Sequence, residues 1–149
     1  MRNPILILSA VAAVLSTAAC GLNPAGPHPK NITNITWSAT KAEFTSVADA
    51  NKKVDIIAQG GWLRVVFDEA GGFTLRISES GGAEEESAGD WSVSSDVMTW
   101  FWRSRYSGQT QFDYSLNGDT MTLTGGHIPF DFTPGTFEEA TLNLILTSK

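Results

Sequence analysis

The sequence predicts an all-β domain, an antiparallel up-and-down barrel of about eight strands. From residue 35 onward, short runs in which apolar and polar residues alternate are separated by turns that contain glycine, which is the pattern of strands with one buried face. Eight such strands can close into a barrel that holds one small ligand or fills with side chains. A β-sandwich of two sheets is the alternative architecture.

The first elements differ in the strength of their pattern. Residues 36–44 form a weaker first strand, and residues 45–59 are irregular, so that a loop, a short helix and a lid all remain open for them. Residues 62–67 and 73–77 are predicted to form a hairpin, because both runs alternate and a glycine-containing turn separates them.

The later strands keep the same period of two. Between two of them, Asn117 and Gly118 predict a tight hairpin of type I′, because both residues tolerate a positive φ. Each strand is therefore expected to have one buried face. The apolar residues predicted on these faces are Phe73, Leu75, Ile77, Trp91, Val93, Phe112, Tyr114, Leu116, Met121, Leu123, Leu142, Leu144 and Leu146.

One strand has aromatic residues on both faces. Met98, Trp100 and Trp102 would share one face, and Phe101 would point the opposite way. Large rings fill a core well, but a surplus of them also lines cavities and contact surfaces. The residues predicted to line a ligand cavity are Trp62, Trp91, Trp100, Phe112 and Tyr114.

Residues 1–19 have the three parts of a bacterial signal peptide. Arg2 is the positive residue, residues 5–15 are apolar, and residues 16–19 are the small residues of a cleavage site. The apolar run is shorter than the roughly 20 residues that a transmembrane helix needs. We therefore expect residues 1–19 to be no part of the folded domain.

Cys20 is the only cysteine, and it follows this signal directly. Thr17-Ala18-Ala19-Cys20 resembles the lipobox of bacterial lipoproteins, although leucine is commonest at the position of Thr17. The resemblance implies that the Cys20 thiol carries acyl chains such as palmitate, and that this lipid anchor holds the chain on a membrane. Residues 20–34 are rich in proline and glycine and are expected to form a flexible linker after the lipidated cysteine.

The lipobox resemblance also implies a cell-envelope location. Gly21 is not the aspartate that often retains lipoproteins in the inner membrane, so the outer membrane is favoured if the host is Gram-negative. Because the chain has no second cysteine, an exported domain must fold without internal disulfides. Residues 35–149 are therefore predicted to be one domain that depends on its core.

The charge balance excludes nucleic acid as a partner. The chain has 16 acidic and 10 basic residues, a net charge of −6, and without Arg2 the balance is 9 − 16 = −7. Nucleic acids and anionic headgroups are bound by clusters of lysine and arginine, so the lipid is the expected route to the membrane. Arg64, Arg103 and Arg105 could still ring a barrel mouth and attract an acidic head group.

No constellation typical of an enzyme is evident in the sequence. His28 and His127 are far apart, and no serine lies in a Gly-x-Ser-x-Gly motif. The carboxylates Glu79, Glu86 and Asp113 are candidates only because they lie on or beside predicted strands. We therefore expect a protein that is not an enzyme, with no catalytic residue, no metal and no cofactor.

Several short motifs resemble small bacterial lipocalin-like domains. They are Phe73-Thr-Leu75, Gly89-Asp-Trp91-Ser-Val93, Asp96-Val-Met98, the run from Phe112 to Leu123 that ends in Gly-Asp-Thr-Met-Thr-Leu, and the run from Phe130 to Leu142. The resemblance covers residues 35–149. It implies an eight-stranded antiparallel barrel, often in a lipoprotein, and it implies no particular ligand.

Three functions from different classes fit these patterns. The first is a membrane-anchored cell-envelope lipoprotein whose barrel binds a small apolar or amphipathic molecule. The second is a structural or interaction lipoprotein with a filled barrel that contacts another envelope protein, and the third is a carboxylate-dependent isomerase or hydrolase. A connected apolar cavity on the order of a few hundred cubic ångströms distinguishes the first function from the second.

Overall fold

In the computed structural model, the structure describes residue 29 and residues 31–103 and 108–148, and every regular element in this range is a β-strand. The strands are β1 (Thr36–Ser46), β2 (Lys53–Asp55), β3 (Trp62–Phe67), β4 (Gly72–Ser78), β5 (Glu85–Ser94), β6 (Val97–Trp102), β7 (Gly108–Asn117), β8 (Thr120–Thr133) and β9 (Thr136–Ser148). No helix in the described part of the chain is long and apolar enough to cross a membrane.

Eight of these strands close into one antiparallel barrel. Strands β3 to β8 each pair with the next strand, β1 pairs with β3, and β9 pairs back with β1. The ninth strand, β2, is short and pairs with the last residues of β1. The predicted up-and-down barrel is confirmed, and the two-sheet sandwich is wrong.

The predicted alternation also describes the inward faces. Trp91, Met98, Trp100 and Phe112 point into the barrel and are at most 1% exposed, whereas Phe101 lies on the opposite face and is half-buried. Tyr114 and three other predicted inward residues are only partly buried at their places on the wall. One hydrophobic cluster runs through the whole barrel, from Ile32 to Leu146.

The irregular stretch 45–59 is neither a helix nor an isolated loop. Strand β1 continues to Ser46, the chain turns, and β2 then runs back alongside β1. The carboxylate of Asp55 accepts hydrogen bonds from the backbone N–H groups of Ala42 and Ile57, and Ile56 is 1% exposed. This fold-back thickens the rim of the barrel beside β1.

The β7–β8 hairpin is tight, but its centre differs from the prediction. Asn117 pairs with Thr120, so the turn residues are Gly118 and Asp119, and of these Gly118 alone has a positive φ, 57°. Type I′ requires positive φ at both turn residues, so that part of the prediction is wrong. Moving the centre by one residue keeps the same side chains on the inward face, and alternation therefore could not distinguish the two centres.

The two ends of the barrel are built differently. At the end we call the closed end lie the turns 68–71, 95–96 and 118–119, together with residues 31–35. Ile32 is fully buried there, its carbonyl accepts a hydrogen bond from Trp37 Nε1 at 3.0 Å, and Thr33 bridges to Phe67. Packing thus begins before residue 35, where the predicted domain begins. Cys20, the signal peptide and most of the predicted linker lie outside the described residues.

The opposite end, which we call the open end, has no such covering segment among the described residues. The turns 79–84 and 134–135 and the fold-back at 47–61 form its rim. The long hairpin of β8 and β9 extends furthest at this end, because its strands stay paired as far as Thr133 and Thr136. The turn between β6 and β7 at this end, residues 104–107, lies outside the described residues.

Candidate functional site

A cavity of about 300 Å³ lies at the open end of the described structure. Its walls come from both sides of the barrel, from β3 to β5 and from β8 and β9. Its volume lies at the lower limit of the range typical of small-molecule sites. The side chains and backbone that line it belong to Phe44, Leu63, Leu75, Ile77, Glu79, Gly82, Ala83, Glu85, Ser87, Ile128, Pro129, Phe130, Asp131, Pro134, Phe137 and Leu142.

The depth of this cavity is apolar because alternation turns these residues inward. Leu63 on β3 and Leu75 on β4 are at most 5% exposed, and Phe44 on β1 stacks on Phe130 of β8 with ring centroids 3.9 Å apart. On β5 the inward residue at this level is only a serine, Ser87, so that wall leaves space. The cavity is the space between the wall at β5, where the inward side chain is small, and the facing wall, where the side chains are large.

Below the cavity, the closed half of the barrel is filled by aromatic rings. The ring of Trp100 lies 4.9 Å from those of Phe73 and Phe112, and Phe67 lies 5.0 Å from Trp91, measured between centroids. These rings are at most 3% exposed. We call this group of five rings the aromatic floor, because it separates the cavity from the closed end.

Two inward-facing glycines make room for the floor. A Cβ atom on Gly126 would overlap with the ring of Phe112, and one on Gly89 would overlap first with the carbonyl oxygen of Phe101 and then with the ring of Phe73. Since φ is not positive at either residue, glycine is required by these close approaches, of a ring at Gly126 and of backbone and ring at Gly89. The floor is therefore packed against backbone as well as against other rings.

The five residues predicted to line a cavity do not all lie in one place. Trp91, Trp100 and Phe112 belong to the floor, and Tyr114 lies nearer the closed end, where burial raises the pKa of its phenol. Trp62 lies on the outer face of the barrel. None of the five lines the cavity at the open end.

Neither of the two described arginines that were predicted at a mouth lines the cavity. Arg64 lies 5.0 Å above the ring of Trp62 on the outer face, and Arg103 is exposed and paired with the carboxylate of Asp90. Arg105 lies outside the described residues. In place of basic groups, the described cavity lining contains the carboxylate side chains Glu79, Glu85 and Asp131.

Asp131 stands out among these carboxylates. Its Oδ2 accepts a hydrogen bond from the N–H of Gly135 at 2.8 Å, which fixes the β8–β9 turn. Its Oδ1 is buried and has no hydrogen-bond partner. A buried carboxylate oxygen without a partner has a free-energy cost that a donor on a ligand could remove.

A cation near this rim, Lys52, is held in an ion pair. Lys52 pairs with Glu138 and lies 5.0 Å above the ring of Phe132, which in turn packs on Phe130 of the cavity wall. The Lys52 side chain therefore closes the space beside β1 and is not directed to the cavity as a free charge.

The carboxylates considered from the sequence as catalytic candidates are spread over the surface. Glu86 forms an ion pair with Arg76 at 2.8 Å, Asp113 is exposed on β7, and Glu79 lies at the cavity rim. His127 is paired with Glu139 at 2.9 Å on the outer face. Among the residues that the structure describes, no group of three potential metal ligands converges.

A second pocket, of about 440 Å³, lies as an outer depression on β3 and β4. Trp62, Arg64 and Val66 line it, and Val66 is 36% exposed. Arg76 and Glu84 border it as an ion pair at 3.6 Å. This surface is open to solvent and offers an aromatic ring beside a cation.

Comparison of the chain with protein-family models, with curated proteins and with solved structures finds no match. The barrel is compatible with a lipocalin-like fold by its strand number and connections. The functional interpretation therefore depends on the geometry of this chain alone.

The cavity residues could not be singled out by counting aromatic residues, yet one signal for them was available. In an up-and-down barrel, the end of β3, the start of β4 and the end of β5 lie at the same level. Phe67, Phe73 and Trp91 occupy those positions, which predicts a filled closed half. Leu63 near the opposite end of β3, and Leu75 and Ile77 further along β4, then become the cavity candidates.

Proposed function

We propose that this protein is a membrane-anchored cell-envelope lipoprotein whose barrel binds a small apolar or amphipathic molecule in the cavity at the open end. The observation that carries the proposal is the apolar cavity of about 300 Å³ above a filled floor. A site of this kind would bury the apolar part of a ligand and leave its polar part at the rim. The protein would then act as a binder and not as an enzyme.

The positions of the exposed apolar residues also favour a binding site at the open end. Of the three large hydrophobic residues that are exposed in the described structure, Val47 and Phe137 lie at the open end, and Phe137 lines the cavity while 52% exposed. Exposed apolar surface beside a cavity is typical of a site that contacts a ligand or a partner.

Binding is tested with the chain from residue 20 carrying Cys20→Ser, which contains the complete hydrophobic cluster from Ile32 to Leu146. We expect saturable binding of a neutral fluorescent probe such as N-phenyl-1-naphthylamine, with one site per chain. Ser87→Phe places a ring in the cavity and should abolish binding. Ser115→Phe adds the same ring to the exposed face of β7 and should leave binding unchanged. Absence of saturable binding in the unmodified cavity would overturn the proposal.

Anchoring is tested separately in cells. The motif Thr17-Ala18-Ala19-Cys20 supports acylation of the cysteine, and a chain with Cys20→Ser should move from the membrane to the soluble fraction. The intact mass of the exported wild-type chain should include the acyl chains. An unmodified thiol in that measurement would contradict the lipoprotein assignment and would leave the binding proposal standing.

A second function, contact with another envelope protein, is favoured by the outer depression around Trp62. Arg64→Ala and Trp62→Ala together would remove the cation and the ring without touching the cavity. Loss of a cross-linked partner in this variant, with probe binding unchanged, would assign that surface to a partner protein.

A further inference from the structure

Among the described residues, the cavity lining contains the acidic residues Glu79, Glu85 and Asp131 and no lysine, arginine or histidine. Glu85 is engaged with another group, which leaves Glu79 and Asp131 as the acidic groups at the described mouth. Lys52, the nearby base, is paired with Glu138. Carboxylates beside a concave apolar wall concentrate a negative potential there, because the low dielectric of the wall focuses the field.

The depth of the cavity has no such charge. Leu63, Leu75 and Leu142 form it and are at most 5% exposed. The cavity is therefore amphipathic in a fixed direction, with apolar groups inside and acidic groups at the mouth. A ligand that matches it has an apolar body and a polar group that carries no negative charge.

Asp131 is the residue that a cationic or hydrogen-bond-donating group of the ligand would contact. One of its oxygens is held by the Gly135 N–H, while the other, Oδ1, is buried without a partner. A cation or a hydrogen-bond donor at the mouth would satisfy this oxygen, whereas a carboxylate ligand would bring a second anion beside it. Repulsion between the two negative charges would weaken the binding of a carboxylate ligand, whereas attraction would strengthen the binding of a cation.

We infer that the ligand of this cavity is a cationic amphiphile, an apolar chain or ring system with an amine or a quaternary ammonium group, and that the rim of acidic residues excludes fatty acids. This inference rests on the proposed binding function and adds the chemical class of the ligand.

The test compares three probes with the same ten-carbon chain by calorimetry, using the chain from residue 20 with Cys20→Ser. The probes are decyltrimethylammonium, decanol and decanoate, each below its micelle concentration. We expect the ammonium to bind more tightly than the carboxylate by about tenfold or more, with the neutral alcohol between them. The preference should shrink as ionic strength rises, because salt screens charges at an exposed rim.

Two variants with the same change in net charge locate the effect. Glu79→Gln with Asp131→Asn removes two carboxylates at the rim, and the asparagine keeps an oxygen that can accept from Gly135. Glu69→Gln with Asp119→Asn removes two exposed carboxylates from turns at the closed end. The first variant should lower the preference for the ammonium over the carboxylate severalfold, whereas the second should leave that preference unchanged.

The outcomes separate this inference from the function beneath it. If all three probes bind and decanoate binds as tightly as the ammonium, the ligand class is overturned and the binding function stands. If both double variants lower the preference equally, overall charge and not the rim determines it, and the inference is again overturned. If no probe binds, the binding function itself fails. A thermal melt of each variant shows whether it is folded before these results are compared.

Discussion

The two halves of this barrel are made by the same strands, but inward side chains fill the closed half and leave a cavity in the open half. In the closed half, Phe67, Trp91 and Trp100 pack ring against ring and Ile32 covers them from outside. In the open half, Leu63 and Leu75 face a cavity with an acidic rim. Stability should therefore depend mainly on the closed half and binding on the open half.

The largest expected effect comes from a matched pair on β9. Leu142 and Leu144 are both inward and at most 1% exposed, but only Leu142 lines the cavity. Leu144→Ala leaves a new void in a packed region and should lower the free energy of unfolding by about 4 kcal/mol. Leu142→Ala enlarges a space that already exists and should cost about 2 to 3 kcal/mol. Equal losses in urea denaturation would contradict the division into a filled and an open half.

Adding atoms to the floor should be the next largest effect. Gly126→Ala forces the Phe112 ring to move, and overpacking of this kind costs about 1 to 3 kcal/mol. Phe112→Leu in the same chain removes the obstructing ring, so the alanine should cost less in that background than in the wild type. If the cost of Gly126→Ala is the same in both backgrounds, the ring contact is not its cause.

The boundary between the halves has a polar link that should matter less. Thr110 Oγ1 accepts a hydrogen bond from Trp102 Nε1 at 2.9 Å and donates one to the carbonyl of His127 at 3.0 Å. Thr110→Val keeps the shape but removes the hydroxyl that accepts from Trp102 Nε1 and donates to the His127 carbonyl, which should cost about 1 to 2 kcal/mol in thermal or urea unfolding. Thr110→Ser keeps the hydroxyl and should recover most of that loss.

The smallest expected effect is a dependence on alkaline pH that belongs to the closed half. Burial raises the pKa of Tyr114 above its ordinary value of 10.0, so the unfolded chain loses this proton at a lower pH than the folded chain. Unfolding then releases a proton, and the free energy of unfolding falls as the pH rises past about 10. Tyr114→Phe should make that fall shallower. An unchanged slope in denaturation between about pH 8 and pH 11 would show that Tyr114 is not responsible.

Most of the fold could be predicted because alternation is a local property. The inward positions of Leu75, Trp91 and Leu144 follow from period two within single strands, and the number of such strands predicts a barrel. Segment 45–59 could not be predicted, since its short strand exists through pairing with β1 and through the hydrogen bonds of Asp55. These contacts join two different segments of the chain, so alternation within either segment does not reveal them.

The cavity was harder to predict than the barrel. Alternation shows that Trp100 and Leu63 both point inward, but it does not show which level of the barrel is filled. That depends on what each inward side chain meets across the interior, such as the space that Gly126 leaves for Phe112. The prediction placed the ligand among the largest rings, whereas large rings that meet one another leave no space for it.

The first and last strands of the barrel meet at the closed end, where Trp37 pairs with Ser148. Anything joined covalently to the chain before Thr36 or after Ser148 is therefore attached at the side away from the mouth. Under the proposed anchoring, the tether would join the barrel at one end and the ligand would enter it at the other.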